Sequence, residues 1–445
     1  MNQTATRNSS FFYGWIIVGI STLALLISNG LSIGGIPVFY KPIQEDLLRL
    51  GMVTAQTKDS VTGLGAGLTF LLAGVFSLVV GLLIQIYSLK MLMLVGSVIL
   101  GGGLAFYSQA TAPWQIYLSH SLLGLSLGLV GVMVQTVLIA NWFRRRRGLA
   151  MGIVLTGTSF GGALIPIVAR PLIESYGWRT ALLMISSIVW LILIPAVLFL
   201  VKDKPSDVGA SFDGDSLNTE CGMRNADFVG KNNQAKNPKF EYGLTLGEAV
   251  KTPAFWILSL CAAAIFYPIF ATSQQFILHI QNPRIGTTAT QAATAQSLLF
   301  VTSVGGKFLF GFLSDKLPTV RVMLICCGVM FLATLILLGF LTANTVFWFL
   351  LPFGLGYGGT FVLIQLLAVE FFGLRDIGKI LGALTVIETF GGFLGSVITG
   401  RLASAAGGDY TTAFYGVTMA AGLSLVCVAA LNFFAPRDQK KKASF

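Results

Sequence analysis

Long apolar runs follow one another along the chain, parted only by short polar breaks. A stretch of about 20 apolar residues is long enough to cross a bilayer's hydrocarbon core as a helix. Twelve such spans emerge, near residues 12–38, 61–84, 91–110, 114–140, 148–170, 179–201, 253–278, 290–314, 322–341, 346–371, 379–401 and 411–434. The short alternating segments of a transmembrane β-barrel are absent. The pattern therefore predicts an all-α membrane protein of twelve transmembrane helices. One long polar segment interrupts it. Residues 202–252, rich in Asn, Asp, Lys and Gly, read as a flexible linker. The expected organisation is a six-helix half over 1–201, the linker, and a second six-helix half over 253–445. Near the end of the linker, Thr245-Leu-Gly-Glu248 fits a capping box opening a short surface helix.

An internal repeat supports the division. Shifted by 230 residues, Gly81-Leu-Leu-Ile-Gln85 falls on Gly311-Phe-Leu-Ser-Asp315, and Thr158-Ser-Phe-Gly-Gly162 falls on Glu388-Thr-Phe-Gly-Gly392. Two matches at one offset predict two pseudo-symmetric six-helix bundles related by an axis along the membrane normal. Small residues at four-residue spacing (Gly124/Gly128, Gly157/Gly161, Gly391/Gly395) predict close helix crossings.

Composition agrees with the pattern: 55% of residues are hydrophobic and only 11% charged. The net charge of +11 would suit a nucleic-acid partner, but its placement argues otherwise. Of 29 Lys and Arg, 21 fall in the termini, the linker and the loops on the same side, which the positive-inside rule assigns to the cytoplasm. The excess is topology, and both termini are expected in the cytoplasm. The five cysteines show neither metal-ligand spacing nor obvious pairing, and read as free thiols. Gly354-Leu-Gly-Tyr-Gly-Gly359 matches a dinucleotide fingerprint but lies inside an apolar run with no strand before it, so it is rejected. No phosphate-binding loop or zinc-protease motif occurs, and His120 and His279 sit near helix ends, where a satisfied interfacial histidine is the default. No enzyme and no cofactor are expected.

Two ionisable side chains lie well inside the apolar runs. Lys307 precedes Asp315, at the inner edge of its span, by eight residues, which places it about 12 Å deep. Glu388 is nine residues past Lys379 and reaches a similar depth. Their counterparts in the first half are Ser77 and Thr158, both neutral. A lysine near the centre of a membrane helix costs roughly 2.5–3.5 kcal/mol on insertion scales, so such charges are paired or functional. Two readings stay open. Lys307 and Glu388 form a structural ion pair, or Lys307 holds an anionic substrate while Glu388 balances it by taking a proton. Asn29, Gln135, Tyr357 and Gln365 are polar groups that could line the same cavity. Lys41, after Ile36-Pro-Val-Phe-Tyr40, reads as an interfacial anchor, and Arg170 with Glu174 as a local surface pair.

Several of these segments resemble the major facilitator superfamily, closely its monocarboxylate transporter and oxalate/formate antiporter branches. GFLSDK, from Gly311 to Lys316 with Asp315 as its acid, together with Arg321, is similar to the superfamily's signature after span eight. The equivalent after span two is degraded, with Gln85 where an acid is usual. NWFRRRRGLAMGI from Asn141, then TGTSFGG, then YGWRTA, resembles the branch more specifically, and the segment around Lys41 resembles its outer lysine segment. The resemblance implies a twelve-helix carrier moving small organic anions by alternating access. It also implies that Lys307 stands where the family's carboxylate-holding arginine stands, and Ser303 where an aspartate stands. Losing that aspartate leaves Glu388 as the stand-in for the proton step. A dicarboxylate antiporter would offer a second cation on span eleven, where this chain has Glu388. The expected function is secondary transport of a small monocarboxylate, lactate- or pyruvate-like, by proton symport. Carboxylate exchange, efflux of another solute, and a non-transporting receptor are the alternatives. The expected site comprises Lys307, Tyr357, Gln135, Asn29 and Lys41, with Glu388 and Lys307 in coupling. The expected setting is a monomer in a bacterial inner membrane.

Overall fold

The computed structural model describes residues 12–143, 146–209, 243–338, 342, 345–373 and 375–434. Most of the linker, Cys221, both termini, and the side chains of Gln85 and Asp315 lie outside the described residues. Among the described residues, eleven helical stretches are long and apolar enough to cross a membrane. One of them, over 149–200, is broken at Gly177, whose φ of 77° no helix interior adopts. That stretch makes two passes, which brings the number of spans to twelve.

Span one runs Gly14–Asn29 and continues as a π segment, Gly30–Gly34, before Pro37–Arg49 starts a new helix. Span two is Lys58–Ile86, span three Leu89–Tyr107, and span four Pro113–Val130 followed by Val132–Trp142. Spans five and six share Arg147–Ile188, divided at Gly177, and six ends with Val189–Leu193 and Ile194–Leu200. Spans seven to twelve are Pro253–Ile280, Ala289–Lys316, Thr319–Leu337, Val346–Phe372, Ile377–Ala405 and Thr411–Phe434. The capping box forms: Glu248 accepts from Thr245 N at 2.7 Å and Thr245 Oγ1 from Glu248 N at 3.3 Å, opening Leu246–Ala249.

Helix pairing repeats between the halves. Span one packs on five, two on four, three on four and three on six; correspondingly seven packs on eleven, eight on ten, nine on ten and nine on twelve. Across the middle, two packs on eleven and eight on five, again as counterparts. This is the pseudo-symmetric two-bundle architecture that the repeat predicts. Side-chain-free backbone makes the tightest crossings. A Cβ on Gly63 would lie 3.0 Å from Gly400 Cα, so spans two and eleven meet backbone to backbone. That contact belongs to the end of the molecule opposite the linker, called the far end below.

Candidate functional site

Lys307 lies on the face of span eight turned towards span five. Behind it, Gly358 of span ten makes room, since a Cβ there would overlap Ser303 O and come within 3.0 Å of Lys307 N. With its backbone pressed against span ten, the lysine side chain crosses to the other half. Its ammonium donates to Ser159 Oγ at 2.8 Å, Thr158 Oγ1 at 2.9 Å and Leu155 O at 3.3 Å. An ammonium has three donors, and all three are used. Ser159 Oγ in turn lies 3.0 Å from Ser303 Oγ, so a chain of hydroxyls links the two halves beside the cation. Every acceptor is neutral. The buried Glu388 carboxylate forms no ion pair with Lys307, and the expectation of a structural pair between spans eight and eleven is not met.

The repeat gives this geometry a meaning. Thr158, which accepts a hydrogen bond from Lys307, is the counterpart of Glu388, and Lys307 is the counterpart of Ser77. At the matching crossing, Gly74 of span two faces Thr389 of span eleven, next to Glu388, and Ser77 Oγ donates to Gly74 O at 2.6 Å. One central crossing therefore carries a cation and hydroxyls, the other a carboxyl group and a hydroxyl.

The other expected site residues are placed as follows. Tyr357 is buried and packs edge-on against Phe300, with centroids 5.8 Å apart. Phe300 lies about two turns beyond Lys307 towards the far end and covers Gly162. Its counterpart Phe70 stacks on Phe270 at 3.8 Å, and Phe270 covers Gly392. Two aromatic contacts thus bound the central region on the far side. Gln135 is fully buried, and its Nε2 donates to Val130 O at 2.8 Å, within span four, where Gly131 interrupts the helix. Asn29 reaches only Ser28 Oγ, at 3.5 Å, at the start of the π segment. Lys41 is partly buried beyond the break in span one and enters no ion pair among the described residues. Lys307 and Tyr357 share a neighbourhood, by way of Phe300, Ser303 and Ser159. Gln365 is exposed.

Several motif residues have structural partners. Arg179, from the YGWRTA segment, pairs with Asp46, donates to Ala110 O at 2.9 Å and lies 4.2 Å above the Trp178 ring. Burial raises the Asp46 carboxyl, but Arg179 and Arg49 outweigh it and hold the group below its ordinary value. Arg170 and Glu174 form the expected local pair at 2.7 Å. Gly311 and Arg321 flank the span eight to nine turn, and Thr319 Oγ1, at the start of span nine, donates to Glu370 near the end of span ten at 2.5 Å. The glycines of the rejected dinucleotide match lie within the span-ten helix and pack on Thr302, Met330, Ser303 and Phe310. Cys261, Cys326, Cys327 and Cys427 are free and buried. The two histidines depart from the interfacial expectation. His120 is fully buried between Thr69 Oγ1 (2.8 Å) and Tyr107 (3.2 Å). His279 is buried against Phe414 with no hydrogen-bond partner on either ring nitrogen.

A bundle of twelve apolar spans in two repeated halves, with a cation bridging them at mid-depth, defines a membrane carrier. The sequence profile of the Major Facilitator Superfamily matches residues 18–396 and 282–445, and the chain belongs to that family. It is a transporter by fold and family. Among its relatives, MFS transporter asaE of Aspergillus flavus is 25% identical over 355 residues, 79% of this chain and 73% of that protein. Monocarboxylate transporter 12 of Rattus norvegicus is 25% identical over 362 residues, 78% of this chain and 72% of that protein. The uncharacterized MFS-type transporter YhjX of Escherichia coli is 25% identical over 325 residues, covering 72% and 73%. The fold also matches a bacterial homologue of the human lysosomal transporter Spinster, in an inward-facing and unoccupied conformation. That likeness has a TM-score of 0.67 at 18% identity and covers 98% of this chain and 99% of that one.

Proposed function

We infer that this transporter carries a small monocarboxylate, of lactate or pyruvate size, together with a proton, by alternating access. The observation that carries the reading is Lys307: a cation between the two halves, saturated by three neutral oxygens and with no acidic partner among the described residues. A carboxylate offers such an ammonium a stronger, charge-assisted bond than a hydroxyl does. Binding would exchange the Thr158 and Ser159 bonds for the substrate and loosen a tie between the halves. Glu388 takes the proton, and Tyr357 with Phe300 supplies the apolar wall for a short carbon chain. Asn29, Gln135 and Lys41 are secondary contacts of the path. The name of the relative monocarboxylate transporter 12 supports the same cargo class. The linker end faces the cytoplasm of a bacterial inner membrane, residues 1–201 and 253–445 move as the two halves about the 202–252 linker, and the monomer is the working unit.

The test is uptake of labelled lactate and pyruvate into liposomes holding the purified protein. Acidifying the outside should drive accumulation in wild type and not in Lys307→Ala. Uptake indifferent to the pH gradient but accelerated by internal anion would identify exchange instead. If transport of some other solute survives Lys307→Ala intact, the carboxylate reading fails.

A further inference from the structure

Span one is broken where it meets the second half. Gly35 N donates to Gly30 O at 2.6 Å, closing a π turn, and Pro37 follows with no N–H to offer Ile33 O four residues back. Val38 N reaches Gly35 O instead, at 3.1 Å, so Gly34 O also loses its helical donor. In an apolar helix both carbonyls need partners from elsewhere. They find them across the interface. Gln274 Nε2 donates to Ile33 O at 3.0 Å, and Gln296 Nε2 to Gly34 O at 3.4 Å and Ser273 O at 2.8 Å. These glutamines belong to spans seven and eight, so the bonds to Ile33 O and Gly34 O join the two halves, while the bond to Ser273 O ties span eight to span seven. Tyr40 donates to Gln274 Oε1 at 2.7 Å.

A second set of bonds runs alongside. Tyr410, after span eleven, places its one hydroxyl proton between Asp59 Oδ1 of span two at 2.9 Å and Gln275 Oε1 of span seven at 3.2 Å. Asp59 also accepts from Gln44 at 3.2 Å and pairs with Lys58. Ser60 N donates to Ser404 Oγ at 2.7 Å. The adjacent amides Gln274 and Gln275 thus hold span one on one side and the span two to eleven contact on the other. All of Tyr40, Gln274, Gln275, Gln296, Asp59 and Tyr410 are buried.

We propose that this network is the latch of the far gate: Gln274 and Gln296 grip the two carbonyls that the π turn and Pro37 release. Opening of the far end requires these bonds to part together with the Asp59–Tyr410 bond. The choice of neutral amides fits a latch that opens repeatedly. A neutral hydrogen bond exchanged for water changes the net free energy little, whereas a buried unpaired charge would resist release. Backbone acceptors also make the docking points independent of any side chain on span one. The proposal does not depend on the cargo.

The test uses the full chain in lipid nanodiscs, with native cysteines replaced and spin labels at Met52→Cys and Thr290→Cys. Both positions are exposed at the far end, one in each half. Double electron–electron resonance should give mainly one short distance. Gln274→Leu and Gln296→Leu should each raise the long-distance population relative to the short by about 2- to 10-fold, the shift expected for one net hydrogen bond. Pro37→Ala, which offers Ile33 O a helical donor that competes with Gln274, should shift it in the same direction. Unchanged distances in the double glutamine variant, with its melting temperature retained, overturn the latch. Should that variant not fold, Tyr410→Phe removes one hydroxyl only, and unchanged distances there overturn it equally.

Discussion

Replacing Lys307 by alanine separates a substrate ligand from a structural tie, because the two roles predict different losses. The ammonium gives three hydrogen bonds, all to neutral oxygens. Its removal leaves few orphans: Ser159 keeps Ser303 at 3.0 Å, and Thr158 keeps its own bond to Leu155 O at 2.8 Å. The cation's own desolvation cost disappears with it. Thermal stability in detergent should therefore change by no more than about 1 kcal/mol, the net worth of one ordinary hydrogen bond. Carboxylate binding should suffer far more. A charged hydrogen bond contributes about 1.5–3 kcal/mol, which converts to about 10- to 150-fold in Kd. Lys307→Arg keeps the charge and should recover part of the affinity, while Lys307→Met should not. Calorimetric titration with lactate, pyruvate and acetate measures the effect directly, beside thermal melts of each variant. A Lys307→Ala protein that binds a carboxylate within twofold of wild type, or that loses several kcal/mol of stability, would refute the argument.

Three further outcomes follow from the same geometry. Glu388→Gln keeps the shape of the buried group but cannot give up a proton. It should abolish accumulation driven by an acid exterior while leaving exchange between internal and external carboxylate, as counterflow in liposomes would reveal. Gly358→Leu forces a side chain into Ser303 O and the Lys307 backbone, and overpacking of this kind costs about 1–3 kcal/mol; the melting temperature should fall, and substrate binding with it, because span eight is pushed off span ten. Asp46 sits outside the spans with its pKa lowered by Arg179 and Arg49 against the opposing effect of burial. A depressed carboxylate contributes stability above its ordinary pKa of about 4, and that contribution is lost as pH falls through its folded value. Melting temperatures from pH 7 down to pH 3 should therefore decline more steeply below about pH 4 in wild type than in Asp46→Asn.

The architecture was legible because its cause is one-dimensional. Bilayer thickness sets span length, and the offset of 230 residues between GLLIQ and GFLSD survives in sequence. Lys307 and Glu388 were legible because a charge in an apolar run is costly wherever it points. Their relation was not, because depth arithmetic fixes height along a helix and says little about direction. Lys307 turns to span five and meets Thr158 and Ser159, whereas equal depth invited a pair with Glu388. Direction was hidden for Gln135 too: a glutamine in an apolar span can line a cavity, and the sequence did not show that this one also donates across the break at Gly131 within its own span. The far-end network was missed although a signal existed. Gln274 and Gln275 are tandem amides in an apolar helix, and Pro37 guarantees a carbonyl without a donor four residues earlier. Asp59 was hidden by a boundary, since the expected span began at 61 and the helix begins at Lys58.

The placement of both mid-depth charges on the second half bears on energetics as well as binding. In the proposed rocking of the two halves, Lys307 and Glu388 would travel together, while Ser77 and Thr158 across from them are neutral. Empty, with the lysine charged and the carboxylate ionised, the moving pair sums to zero. Loaded with a carboxylate anion alone, it would carry one net negative charge through a low-dielectric region, where unit charges are costly. Loaded with the anion and a proton on Glu388, it is neutral again. Both legs of a one-to-one proton–carboxylate cycle therefore move an uncharged core, and the charged alternative is disfavoured without any further gate. Uptake by this protein should then be electroneutral. In liposomes at a fixed pH gradient, a potassium diffusion potential set with valinomycin at about 100 mV of either sign, worth about 2.3 kcal/mol per charge moved, should leave the accumulation of labelled lactate unchanged. Accumulation that follows the imposed potential would mean that a net charge crosses with the substrate, and the pairing of Lys307 with a protonated Glu388 in the loaded state would have to be abandoned.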